Sequence, residues 1–228
     1  MKKGIPENSL GAFSEAIKNN YIIEFDVHLL KDGNVVVFHD DDLFRMTTVN
    51  KLLKDCTYEE IKNLKLYDTK YNIPLLKEVL DLINNKVTII IELKTDNKVG
   101  KLEERLMEEI KVYKGVYVVK SFNPFSVNWF KKNHPNIIRG QLSCDFVEES
   151  FTKLKKFILK NMLLNFISKP DFISYEINSL PKRCVQKFRK NKLVLGWTIR
   201  NKEDYDHAKK YCDNFICENI DSFNIYKK

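Results

Sequence analysis

Three short stretches carry side chains of the types, and at the spacings, that do chemistry together. In Ile22-Ile23-Glu24-Phe25-Asp26-Val27-His28-Leu29, Glu24, Asp26 and His28 occupy alternate positions. A strand throws alternate side chains to one face, with successive members about 7 Å apart. Thr88-Ile89-Ile90-Ile91-Glu92-Leu93-Lys94 ends an apolar run in an acid and a base on one face, and Val35-Val36-Val37-Phe38-His39-Asp40 closes another with an imidazole. Each also has an ordinary explanation: an antiparallel strand with one wet face, a rim ion pair, a structural histidine. Together they point elsewhere. Glu24, Asp26 and Glu92 gathered at strand ends would repel one another unless a cation compensated. Hard oxygen ligands, with no Cys and at most one His, favour Mg2+ or Ca2+ over zinc.

The elements that must position these residues are legible as an alternation. Strand-length apolar runs lie at 22–29, 35–38, 87–93, 116–119, 137–142, 172–175, 193–199 and 214–217, many of them β-branched. Helical stripes fall between them: 10–19 behind Ser9 as N-cap, then stripes through Leu75 and Ile83, Leu102 and Tyr113, and Phe151 and Met162, then 180–190 and 202–211. Strands alternating with helices predict a parallel α/β sheet with crossovers, whose functional groups gather at C-terminal strand ends. The link 30–34 is too short for a parallel crossover, so 35–38 reads as an extension after a tight turn. A (β/α)8 barrel takes about 250 residues and eight strands, so the chain is about one unit short, at its front.

With 228 residues, 43% of them hydrophobic, the composition predicts a single domain over 1–228 and excludes a disordered polymer. No apolar run approaches the roughly 18 residues that span a bilayer, and no apolar stretch follows Lys2 and Lys3, so a soluble cytoplasmic protein is expected. Five cysteines without a CxxC pair read as reduced thiols. The net charge of +8 is spread over scattered lysines with no aromatic-interleaved stripe, which argues against nucleic acid. The basic stretch 151–166, with Lys153, Lys155, Lys156 and Lys160, reads as a helix packing its apolar face inward rather than one touching anionic lipid.

Several motifs, in order and spacing, resemble the glycerophosphodiester phosphodiesterase family. They are Pro6-Glu7-Asn8-Ser9 with Ala12-Phe13 and Ala16; Glu24-Phe25-Asp26-Val27; Lys31-Asp32-Gly33; Val36-Val37-Phe38-His39-Asp40; Ile73-Pro74-Leu75 with Glu78-Val79-Leu80; and Glu92-Leu93-Lys94. Ser121-Phe122 and Trp197-Thr198 match later landmarks. The resemblance implies a TIM-type (β/α) barrel of the PLC-like phosphodiesterase kind, with a divalent cation, Mg2+ or Ca2+, held by Glu24, Asp26 and Glu92. It implies hydrolysis of a small-molecule glycerophosphodiester to glycerol 3-phosphate and an alcohol. His39 matches a general acid/base, Lys94 a group that neutralises phosphate, Trp197 an aromatic wall near the glycerol, and Glu7 a further residue at the substrate site.

The sequence departs from the family at its front. The family's first strand opens on His-Arg-Gly, whereas the five residues before Pro6 contain neither the His nor the Arg. Either Met1 lies inside the first loop or the chain is a natural variant that has lost its first strand; the former is expected, because a barrel lacking a strand exposes two unpaired edges. Two alternatives stand beside hydrolysis: a non-catalytic relic that binds metal or phosphate, and a lysophospholipase D-type activity. A smaller departure is Glu218, where the family commonly ends its last strand in Thr-Asp.

Overall fold

Ser9 opens the first described helix, α1 (Leu10–Lys18): its hydroxyl accepts the Ala12 N–H at 3.3 Å and donates to the Pro6 carbonyl at 2.6 Å. One unpaired helix N–H is thereby satisfied and the preceding turn is pinned. The computed structural model describes residues 4–95 and 98–218, and the chain divides into two compact units, Met1–Val119 and Lys120–Lys228.

In the first unit, β1 (Ile23–Leu29) pairs antiparallel with β2 (Val35–Val37), Val27 opposite Val37 and Leu29 opposite Val35. Gly33 closes the tight link at φ +86°, where a side chain is disfavoured, and its N–H donates to the Leu30 carbonyl at 3.0 Å. On its other edge β1 runs parallel to β3 (Ile89–Leu93), which sets Asp26 opposite Glu92 and Glu24 opposite Ile90. Every residue of β1 except Glu24 and Leu29 is buried, so the wet-face explanation of its alternation does not hold. The parallel ladder ends at Val27 and Leu93, leaving Asp26 and Glu92 at its C-terminal end and Glu24 two residues behind.

Helices cover this sheet with apolar faces at helical spacing. Phe13 of α1 meets Phe25 edge to face at 5.7 Å. Between β2 and β3, α2 (Phe44–Thr47), α3 (Tyr58–Ile61) and the connecting turns share a small core of Phe38, Leu43, Met46, Leu53, Ile61 and Leu66. The helix α4 (Leu76–Ile83) buries Leu76, Val79, Leu80 and Ile83. Behind β3, α5 (Lys101–Ile110) buries Leu102, Leu106 and Ile110, and its fully buried Glu103 accepts from the Gly100 N–H and the Thr95 hydroxyl, both at 2.7 Å. The loop that follows Lys94 is braced by that carboxylate. The strand β4 (Tyr117–Ser121) spans the join between the units.

The second unit continues with α6 (Pro124–Asn133), β5 (Arg139–Ser143), α7 (Lys153–Lys160), α8 (Asn165–Ser168), β6 (Phe172–Glu176), α9 (Arg183–Arg189), β7 (Val194–Ile199), α10 (Lys202–Ala208) and β8 (Asn214–Cys217). Its strands β5 to β8 are parallel neighbours in chain order, as strand–helix alternation predicts. Ile173, Tyr175, Val185, Val194 and Cys212 pack into one of its apolar clusters. α6 has no counterpart in the sequence reading, and α7 departs from it: none of its eight residues is fully buried. Among the described residues no helix is long and apolar enough to cross a membrane.

Candidate active site

The acids that alternate along β1 meet the acid at the end of β3. Ligand oxygens of Glu24, Asp26 and Glu92 all lie within 4.8 Å of one another, with Asp26 and Glu92 buried. The Lys94 ammonium, just past β3, bridges two of them, 3.0 Å from Asp26 Oδ1 and 2.7 Å from Glu92 Oε1. Burial alone would push Lys94 down, but Glu92 and Asp26 hold it above the usual lysine range. Three carboxylates against one ammonium leave surplus negative charge, and the donors are all hard oxygens. Such a set fits a divalent cation.

Asp26 is held from outside the sheet as well. Asn8 stands at φ +51° in the turn before α1, and its Nδ2 donates to Asp26 Oδ2 at 2.9 Å while the Asp26 N–H donates to Asn8 Oδ1 at 3.4 Å. Asparagine tolerates that left-handed backbone better than most side chains do. The turn that Ser9 pins therefore orients a carboxylate 18 residues away.

His39 follows β2 and is about half exposed, with Nδ1 2.7 Å from Asp40 Oδ1. Asp40 in turn takes two hydrogen bonds from Arg45, at 2.5 Å from Nε and 2.9 Å from Nη2. Burial works to raise Asp40, yet the Arg45 and His39 hydrogen bonds hold its carboxyl below the usual range. Arg45 reaches further, to Glu7 Oε1 at 2.5 Å and to the Tyr67 hydroxyl at 2.8 Å. Its guanidinium is held above its ordinary value, first by Asp40 and then by Glu7 against the pull of burial. Glu7 is thus the far end of a relay that begins at His39.

His28, third on the alternating face of β1, is buried and 3.4 Å through Nε2 from the His39 carbonyl. Burial, with Lys94 second, lowers its pKa, so it is a neutral ring that donates to the backbone of His39. Trp197 lies on β7 in the second unit, edge-on to Phe122 with centroids 5.7 Å apart. Glu218 pairs with Arg200 at 3.1 Å and 3.3 Å, and Asn219 and Ile220 lie outside the described residues. Sequence reading missed Asn8 as a partner of Asp26 and missed the Asp40–Arg45–Tyr67 relay. The adjacency of Asp40 to His39 was the one available signal.

Comparison with known proteins bears directly on this geometry. The chain matches the Glycerophosphoryl diester phosphodiesterase family over residues 1–221. It is 33% identical to a glycerophosphodiester phosphodiesterase of Caldanaerobacter subterraneus subsp. tengcongensis, covering 99% of this chain and 94% of that protein. Among solved structures it is similar to a glycerophosphodiester phosphodiesterase of Thermotoga maritima, at 26% identity and TM-score 0.70, covering 93% of this chain and 88% of the other. It is also similar to an Oleispira antarctica phosphodiesterase in complex with its product sn-glycerol-3-phosphate, at 23% identity and TM-score 0.75, covering 95% and 89%. A match over nearly the whole chain, and a relative one-third identical over almost its full length, lead to one conclusion: the chain belongs to the glycerophosphoryl diester phosphodiesterase family, enzymes of TIM-barrel-like α/β fold that hydrolyse glycerophosphodiesters.

Proposed function

We propose that Glu24, Asp26 and Glu92 hold a divalent cation, Mg2+ or Ca2+, and that His39 moves the proton as a glycerophosphodiester is cleaved to glycerol 3-phosphate and an alcohol. The observation that carries this reading is the mutual approach of the three ligand oxygens to within 4.8 Å. A bound divalent cation supplies Lewis acidity at a phosphoryl oxygen. With Nδ1 held by the Asp40 carboxylate, the Nε2 of His39 is the nitrogen left to exchange a proton with the leaving alkoxide or with water. Lys94 sets a fixed positive charge beside the carboxylates, where it offsets charge on the phosphate.

Glu7 acts through Arg45, keeping Asp40 and hence the ring of His39 in place at the substrate site. Trp197 walls the glycerol moiety; its buried Nε1 has no hydrogen-bond partner among the described residues, and a ligand oxygen would satisfy it. The single family match over residues 1–221 supports one catalytic domain. The five free cysteines suit a reducing, cytoplasmic setting.

The test couples glycerol 3-phosphate release to its dehydrogenase, with Mg2+, Ca2+ or EDTA present. Activity should require the cation, and Glu24→Gln, Asp26→Asn and Glu92→Gln should each weaken cation affinity. A full rate in EDTA, or variants with unaltered cation dependence, would remove this assignment.

A further inference from the structure

The stretch 147–166 leaves an apolar surface uncovered. Of the fourteen large hydrophobic side chains exposed among the described residues, five fall here: Val147, Leu154, Phe157, Leu163 and Phe166. Leu154 and Phe157, 68% and 53% exposed, are three residues apart on α7 and so share one helix face. Scattered single exposures are ordinary on a soluble surface, whereas two large apolar side chains on one exposed helix face, in a stretch rich in further exposed ones, mark an interaction site.

The polar positions of α7 identify the partner. Lys153, Lys155, Lys156 and Lys160 give the helix four positive charges and no acid, although Glu148 and Glu149 precede it. The Lys155 ammonium stands 3.5 Å from the Phe151 ring centroid, and Lys156 Nζ donates to the Val147 carbonyl at 3.1 Å. Lys153 and Lys155 are exposed beside these apolar side chains, a mixture of positive charge and apolar surface that suits a boundary between acyl chains and anionic headgroups. A second copy is the poorer partner, because a twofold contact would bring the same four lysines against one another.

The helix is also held firmly enough to present this face. Its C-terminal carbonyls are tied inward, Leu159 to the Ser143 hydroxyl at 2.9 Å and Lys160 to the Tyr175 hydroxyl at 2.7 Å, and Met162 beyond it is buried. From Phe151 a run of ring contacts leads inward through Phe146 and Phe122 to Trp197.

We propose that the α7 surface, from Val147 to Phe166, seats the enzyme on an anionic phospholipid bilayer. The experiment is flotation of the full chain with vesicles of phosphatidylcholine alone and with vesicles of equal parts phosphatidylcholine and phosphatidylglycerol. Binding should appear with the anionic vesicles and fall at high salt. Lys153→Gln with Lys155→Gln should weaken it by roughly fivefold per charge, hence roughly 25-fold for the pair. Leu154→Ser with Phe157→Ser should abolish it, leaving the melting temperature and turnover of a water-soluble glycerophosphodiester unchanged. The idea is overturned by equal binding to both vesicle types, by no binding to either, or by binding that survives both pairs of substitutions. A dimer in sedimentation velocity that Phe157→Ser dissociates would likewise overturn it, assigning the face to self-association.

Discussion

At the scale of single residues, the chemistry depends on whether His39 is held in one protonation geometry. Asp40 accepts from Nδ1 and is itself held by Arg45. His39→Ala should therefore lower kcat by about 10²- to 10⁴-fold, the contribution of a general acid or base, while Asp40→Asn should cost less because the imidazole remains. Steady-state rates of glycerol 3-phosphate release check both, and equal losses would show that Asp40 acts other than through His39. The same carboxyl gives a pH prediction. Its folded pKa lies below the ordinary aspartate value, so its contribution to stability is fully present above about pH 4 and is lost as pH falls through the lower folded value. Urea midpoints measured from neutral to strongly acidic pH should fall less steeply below pH ~4 in Asp40→Asn than in the parent. Identical slopes would show that the Arg45 contact does not bias Asp40 in solution. The acids of β1 and β3, with His39 and Lys94, were legible beforehand because strand periodicity assigns faces without tertiary information. Asn8 and Arg45 were not, because their partners are reached across 18 and 5 residues through turns whose left-handed or irregular backbone carries no periodic signal.

At the scale of elements, most strands were readable because they carry β-branched apolar residues between polar turns, β5 being marked only by Ile137 and Ile138 just before it, and the helices α4 and α5 because their buried residues recur at helical spacing. The helix α6 was hidden by its surface: Phe125, 54% exposed, breaks the apolar stripe of Val127 and Phe130, although Asn123 as cap and Pro124 in the first turn marked its start. Single-turn helices such as α2 and α3 are too short to show a period, and their small core becomes visible only once the segment folds. The element with the longest reach is the turn into α1. Ser9→Ala removes both the helix cap and the bond to the Pro6 carbonyl, which should cost about 0.5–2 kcal/mol of stability. Asn8 stands in that turn, so the variant should also lose turnover, and Ser9→Thr should recover both. Stability loss in Ser9→Ala with wild-type kcat/KM would show that Asp26 keeps its orientation without the turn.

At the scale of the whole molecule, local and global charge oppose each other. The chain carries a net +8, which discourages cations at long range, while the Glu24–Asp26–Glu92 cluster concentrates negative charge in one place. Stabilisation by a divalent cation must then come from that cluster and not from general screening. Linkage gives about 2.7 kcal/mol at a free concentration of 100 dissociation constants, which for a chain of this length raises the melting temperature by roughly 5–10 °C. Sodium chloride at matched ionic strength should not reproduce the shift, and Glu24→Gln or Glu92→Gln should abolish it. Lys94 separates this account from a simple ion-pair role. In the folded chain its ammonium is the counter-charge to Asp26 and Glu92, so Lys94→Met should destabilise the cation-free protein by about 3–5 kcal/mol, the cost of breaking a buried pair. The cation then becomes the main source of compensation, and the melting shift it produces should be larger in Lys94→Met than in the parent. Scanning calorimetry of both proteins with EDTA and with millimolar Mg2+ or Ca2+ measures the two shifts directly. A smaller shift in the variant would mean that Lys94 helps to bind the cation instead of competing with it for the same oxygens.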